Sequence, residues 1–199
     1  MNKSSDSIPV EYSADIVRAC EVLRRGGTIL YPTDTVWGIG CDATDSDAVR
    51  RIYDIKRRAD SKALILLVAD ACMMRAHAAP LPAVADGMIL HPDQRPTTMV
   101  VDGGKGLAPE VLAADGSVGM RIPRDTFASA LCREFGKPVV STSANISGAP
   151  AAQRFSDISP EITEAVDYVC TSLRGDMSAS LPSRVVKIDR DGQITVLRP

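Results

Sequence analysis

Residues 63–68 read Ala-Leu-Ile-Leu-Leu-Val, an apolar run with no polar interruption. Successive side chains of an extended segment point to opposite faces, so a strand built from this run needs apolar cover on both sides. The run is short for a helix and suits a strand. Cover on both faces is therefore expected, as helices flanking the sheet would give it.

The remaining patterns supply those helices. Ser13 predicts a cap for a helix to about Arg25, with Ile16, Val17, Cys20 and Leu23 on one face and Gly26-Gly27 as the stop. Asp45 or Ser46 begins a second helix that turns Val49, Ile52 and Tyr53 inward. Short helical patterns cover 70–78 and 82–90, Asp125 caps a helix that ends at Gly136, and Ser159-Pro160-Glu161 opens another. Strands are expected at 28–32, 97–102, 117–122, 138–142 and 168–173. Residues 184–198 form a hairpin with Asp191-Gly192 in its turn. The pattern predicts one α/β domain over 13–199: a mixed, twisted sheet flanked by helices and closed by a C-terminal hairpin, preceded by a flexible segment over 1–12.

Charge and cysteine content narrow the function classes. The formal net charge is −2, against a protein that grips nucleic acid by bulk charge. Cys20, Cys41, Cys72, Cys132 and Cys170 are odd in number and form no CxxC pair, which speaks against a disulfide framework or a zinc site. They read as small core residues in a reducing compartment. The N-terminus has no apolar signal core and no stretch has the length of a membrane span, so a cytoplasmic protein without a membrane partner is expected.

Four stretches could carry chemistry. In "YPTDTVWGIGCDAT" at 31–44, a strand end is followed by hydroxyls, an acid and glycines. Ligands of open α/β sheets bind beyond strand ends, although such a turn can also satisfy its own backbone. Lys56, Arg57, Arg58 and Lys62 follow the second helix. They suit either a solvated helix end or a triphosphate. Arg121 sits in an apolar strand and needs an acid partner, as a structural ion pair or as a clamp on a ligand carboxylate. "PVVSTSANISG" at 138–148 ends a buried strand in small hydroxyls without charge. Only two histidines occur, against a Ser-His-Asp hydrolase or a histidine metal centre.

Together these stretches resemble the YrdC family of L-threonylcarbamoyladenylate synthases, from "GGTILYPTDTVWGIGCDAT" to "ITVLRP". The family pattern of Lys-x-Arg, a further Lys and Ser-x-Asn is matched by Lys56, Arg58, Lys62, Ser143 and Asn145, and its strand-borne Arg before Pro by "MRIP". The resemblance implies that L-threonine, bicarbonate or CO₂, and ATP with its Mg²⁺ are joined as threonylcarbamoyl-AMP and pyrophosphate. The adenylate then serves the t⁶A modification of tRNA through a downstream transferase. It implies that Lys56 and Arg58 are catalytic and that Lys56, Arg58, Lys62, Ser117, Ser143, Asn145 and Arg198 hold ATP. Thr33, Thr35, Arg121, Ser141 and Ser183 would shape the threonine pocket, with no metal ligand from the protein.

The sequence departs from the family where Ser-Thr-Val-Val is usual and Ser183-Arg184-Val185-Val186 stands, at 93–100 where "DQRPTTMV" replaces Pro-Gly-Pro-x-Thr, and at Leu67 where some members have His. The rival readings are an RNA-binding module of the same fold, with tRNA as a direct partner, and a divergent paralogue with another substrate.

Overall fold

The computed structural model describes residues 10–57, 64–176 and 182–199. Helix α1 (Val10–Arg24) begins three residues before Ser13, so residues 10–12 belong to the folded unit. Glu11 in its first turn favours the helix dipole, and the Tyr12 ring meets Phe127 edge-on at 5.7 Å. Strands β1 (Ile29–Tyr31) and β2 (Gly38–Gly40) pair antiparallel. Helix α2 (Ser46–Lys56) is capped by Asp45, whose carboxylate accepts from the backbone of Asp47 and Ala48.

Strand β3 (Ile65–Leu67) lies within the apolar run. Helices α3 (Ala71–Ala76) and α4 (Ala83–Leu90) lead to β4 (Thr97–Val101) and β5 (Val118–Arg121). Asp125 caps α5 (Thr126–Phe135), and Gly136 ends it at φ 76°, a conformation in which any other residue is strained. Strand β6 (Val139–Ser143), helix α6 (Pro160–Ala165), strand β7 (Tyr168–Val169) and the hairpin β8 (Arg184–Ile188) and β9 (Ile194–Arg198) complete the described chain.

The strands join one mixed sheet in the order β7-β1-β2-β6-β3-β5-β4-β8-β9. Alternation sorts its residues between two apolar layers. Ile29, Tyr31, Leu67 and Val139 pack against Ile16, Leu23, Phe127 and Leu131 of α1 and α5. Leu30, Leu66 and Val140 turn the other way, into the layer that holds Ile52 and Met74.

The sequence offers no strand signal at β2, since Gly-Ile-Gly has one branched residue and no pattern for it to alternate with. Packing requires the glycine: a Cβ at Gly40 would stand 2.4 Å from the carbonyl oxygen of Val140. Of the cysteines, Cys72 is exposed, contrary to a core role, and the other four are buried and free. Among the described residues no helix is long and apolar enough to cross a membrane.

Candidate active site

The face of the sheet covered by α1 and α5 is only partly covered. Val139 and Leu67 are opposite one another under the helices. Two residues along, Ser141 is opposite Ile65, and Ile65 is opposite Gly119. Ser143 then lies across from Gly38. Residues two apart share a face, so the hydroxyls of β6 continue the core face past the edge of the helices. This is why a buried strand ends in small polar groups: the same face that is dry at Val139 lines a cavity from Ser141 onward.

That cavity measures about 400 Å³. Ser117, Gly119 and Arg121 form one side of it along β5, while Thr35, Ser141 and Ser143 form another. Ser183 and Arg198 close it from the β8–β9 side. Among the described residues no carboxylate lines it. Arg121 is buried and ion-paired with part-buried Asp34. Its Nη2 donates to Thr35 Oγ1 at 3.3 Å, and its Nε–H is buried with no partner among the described residues. Arg198 reaches in from the edge strand, donating Nε to Ser183 O at 2.9 Å and Nη2 to Ser183 Oγ at 3.2 Å. Desolvation and the positive charges of Arg95 and Arg121 hold its pKa below the usual arginine value. The interior is thus cationic, which favours an anionic ligand.

Other expected residues lie around the cavity. The Thr33 hydroxyl closes the 33–36 turn by donating to Val36 O at 2.7 Å, and Thr33 lines a smaller neighbouring hollow with Trp37 and Gln153. Lys56 is buried, and its ammonium donates to the backbone oxygens of Ser143 and Asn145, the latter at 2.7 Å. It braces the loop after β6 from beneath and does not line the cavity. Asn145 closes the same loop, donating Nδ2 to Ala149 O at 2.6 Å. The Ser117 hydroxyl donates to Asp115 Oδ1 at 2.6 Å. Arg58 and Lys62 lie outside the described residues.

Two departures from the family pattern fall away from the site. Arg184 turns to the opposite face, where it pairs with Asp93 at 2.6 Å and lines a separate, largely apolar hollow, while Ser183 and Val185 face the cavity. Leu67 is sealed under α1 and α5. The sequence reading did not single out Asp34. The signal was available in the requirement that a buried arginine have an acid, and Asp34 stands between the two threonines of the 31–44 motif.

Behind Asp34 stands Asp125. Its Oδ2 accepts from Asp34 N–H at 3.0 Å and its Oδ1 from Ala128 N–H at 2.7 Å. Burial raises its carboxyl from 3.8 to about 6, with the Asp34 charge acting in the same direction and the Ala128 bond and Arg121 opposing. The fold therefore favours the neutral acid: the stability this group contributes is full below pH 3.8 and lost as pH rises through about 6. Asp125→Asn keeps the cap and removes the titration. The stability of the variant relative to wild type is expected to rise between pH 4 and 7 by up to about 3 kcal/mol. Urea unfolding across that range checks this; a difference independent of pH would mean that Asp125 is charged in the fold at no cost.

An α/β sheet opening into a hydroxyl-lined pocket with two arginines defines a protein built to hold small anionic ligands. The chain belongs to the Sua5/YciO/YrdC family, whose model, described as telomere recombination, matches residues 21–199. It is 32% identical over 168 residues to a threonylcarbamoyl-AMP synthase of Stenotrophomonas maltophilia, covering 83% of this chain and 90% of that protein. It is 35% identical over 158 residues to the synthase of Cellvibrio japonicus, covering 79% and 83%. The crystal structure of E. coli YciO superimposes with a TM-score of 0.81 at 26% identity, covering 96% of this chain and 90% of that one. P. abyssi Sua5 complexed with L-threonine shares the fold, with a TM-score of 0.80 at 24% identity over 95% of this chain and 54% of that one.

Proposed function

We propose that this protein is an L-threonylcarbamoyladenylate synthase, joining L-threonine, bicarbonate or CO₂, and ATP into threonylcarbamoyl-AMP and pyrophosphate. One observation carries the reading. Thr35, Ser117, Arg121, Ser141, Ser143, Ser183 and Arg198, dispersed through the sequence, line a single cavity of about 400 Å³. That volume lies within the range of about 300–1,000 Å³ usual for small-molecule pockets.

In this reading Arg121 takes the threonine carboxylate, and Thr35, Ser141 and Ser183 surround the amino acid. Ser117, Ser143 and Arg198 face the nucleotide. Arg58 and Lys62 are assigned to the triphosphate on the family pattern. Lys56 and Asn145 act through the loop they brace.

The threonine amine adds to CO₂ and loses a proton, giving a carbamate. A carbamate oxygen then attacks the α-phosphorus, a P–O bond forms there, and the bond to the bridging oxygen breaks as pyrophosphate leaves. No side-chain nucleophile is required; alignment and neutralisation of the phosphate charge lower the barrier. Among the described residues no carboxylate lines the cavity, and no group of three or more His, Cys, Asp or Glu could hold a metal. Those residues do not fit a protein-held Mg²⁺; the ion is assigned to the phosphates of ATP. The product is a donor for tRNA modification by a separate transferase, in the cytoplasm.

The test is incubation with ATP, ¹⁴C-bicarbonate and single amino acids, with detection of a labelled adenylate and of pyrophosphate. Threonine is expected first, then serine, then valine. Serine keeps the hydroxyl and loses a methyl, a handicap of about 1–3 kcal/mol, or roughly 10- to 200-fold. Valine leaves buried hydroxyls of the pocket without a partner and is rejected more strongly. No pyrophosphate above the amino-acid-free control, or valine equal to threonine, would end this reading.

A further inference from the structure

We infer that Asp34 is the positioning residue that sets specificity for a substrate carboxylate, by fixing which edge of the Arg121 guanidinium is free to bind it. The inference rests on the proposed binding of threonine at Arg121. Asp34 lies in the turn between β1 and β2 and is not part of the cavity lining. Its carboxylate pairs with Arg121 Nη1, and the two side chains are 8% and 4% exposed. Thr35 Oγ1, one residue on, accepts from Nη2 at 3.3 Å. One short turn therefore takes an N–H from each terminal nitrogen. The buried Nε–H is left without a partner among the described residues, on a residue that lines the cavity. A buried donor of this kind is costly unless something accepts from it, and a ligand carboxylate is the acceptor that suits a guanidinium.

Asp34 is itself held from two sides. The backbone N–H of Arg124 donates to its Oδ2 at 3.2 Å. Its own N–H donates to Asp125 Oδ2 at 3.0 Å, and Asp125 is anchored as the N-cap of α5. The orientation of the guanidinium is thus tied through two acids to a rigid helix end. With Asp34 removed, Arg121 keeps its charge and loses its fixed partner. Asp125 is then the neighbouring acid toward which it is drawn.

The experiment compares calorimetric titrations of L-threonine and L-threoninamide, which lacks the carboxylate, into wild type and into Asp34→Ala, Asp34→Asn and Asp34→Glu. Circular dichroism verifies that each is folded. Wild type is expected to prefer threonine by more than about tenfold. Asp34→Ala and Asp34→Asn should reduce the preference to about threefold or less, and Asp34→Glu should restore most of it. ATP affinity should stay within about twofold throughout. A merely structural role weakens both ligands alike and leaves the ratio unmoved.

Should Asp34→Ala fail to fold, Asp34→Asn decides. A preference unchanged or increased in Asp34→Asn overturns the inference, because Asp34 would then only neutralise Arg121. Wild type that does not bind threonine overturns the proposed function and this inference with it. Normal wild-type binding with unaffected variants overturns the inference alone.

Discussion

Lys56→Ala is expected to lose both stability and activity, while Arg57→Ala, its immediate neighbour, loses neither. Lys56 is 2% exposed, and its ammonium binds backbone oxygens of Ser143 and Asn145, the Asn145 oxygen at 2.7 Å. Alanine leaves the part-buried Asn145 oxygen without this charged donor and the Ser143 oxygen with only the Asn145 N–H at 2.9 Å, a cost of roughly 1–3 kcal/mol before water enters. A net loss of about 3 kcal/mol lowers the melting temperature of a domain this size by roughly 6–12 °C. The loop that carries Ser143 into the cavity loses its brace, and adenylate formation should fall ten- to a hundredfold, roughly the worth of one lost charge-assisted contact. Arg57 is exposed and pairs at the surface with Glu161, so its replacement should stay within about 1 kcal/mol and about threefold in rate. Thermal unfolding and initial rates of pyrophosphate release on the two variants decide it. Equal, small effects at both positions would show that the cluster is a solvated helix end.

Replacement of Arg121 is expected to separate stability from recognition. Arg121→Ala leaves the Asp34 carboxylate buried without its partner, and breaking a buried pair from one side destabilises by about 3–5 kcal/mol. Arg121→Lys keeps a charge for Asp34 and is expected to fold. It cannot serve Asp34, Thr35 and a ligand carboxylate at once, because an ammonium lacks the planar fork. Threonine affinity should fall about ten- to a hundredfold in Arg121→Lys, with ATP affinity changed by less than about threefold. Calorimetric titration of both ligands measures the split. Unchanged threonine affinity in folded Arg121→Lys would remove Arg121 from the amino-acid pocket.

Local signals carried far along this chain. Asp45 and Asp125 as caps, and Gly136 as a stop, follow from the chemistry of helix ends and stand where expected. Helix α1 starts ahead of Ser13, a good cap by residue type, and the contact of Tyr12 with Phe127 that accompanies the earlier start comes from α5, over a hundred residues away. Strand β2 was invisible for a related reason: Gly38 and Gly40 carry no pattern of their own, and their pairing depends on β1 and β6 on either side.

The site divides in the same way. Residue chemistry in the sequence alone determined that hydroxyls near 141–143 and Arg121 are each able to serve an anionic ligand, because small neutral hydroxyls and a forked cation both suit one. It could not tell a cavity wall from a prop beneath it. Ser143, Asn145 and Lys56 are equivalent as motif letters, yet Ser143 lines the cavity while Asn145 and Lys56 hold its loop from outside. Arg184 looked like an intrusion beside Ser183, and strand alternation sends it to the other face. Which acid Arg121 takes was also decided only in three dimensions, since Asp34 reaches it across 87 positions of sequence. Residue type dictates which bonds a side chain can form; the register of the sheet and the packing of α1 and α5 dictate which face it is on, and therefore whether it meets a ligand, a helix or its own loop.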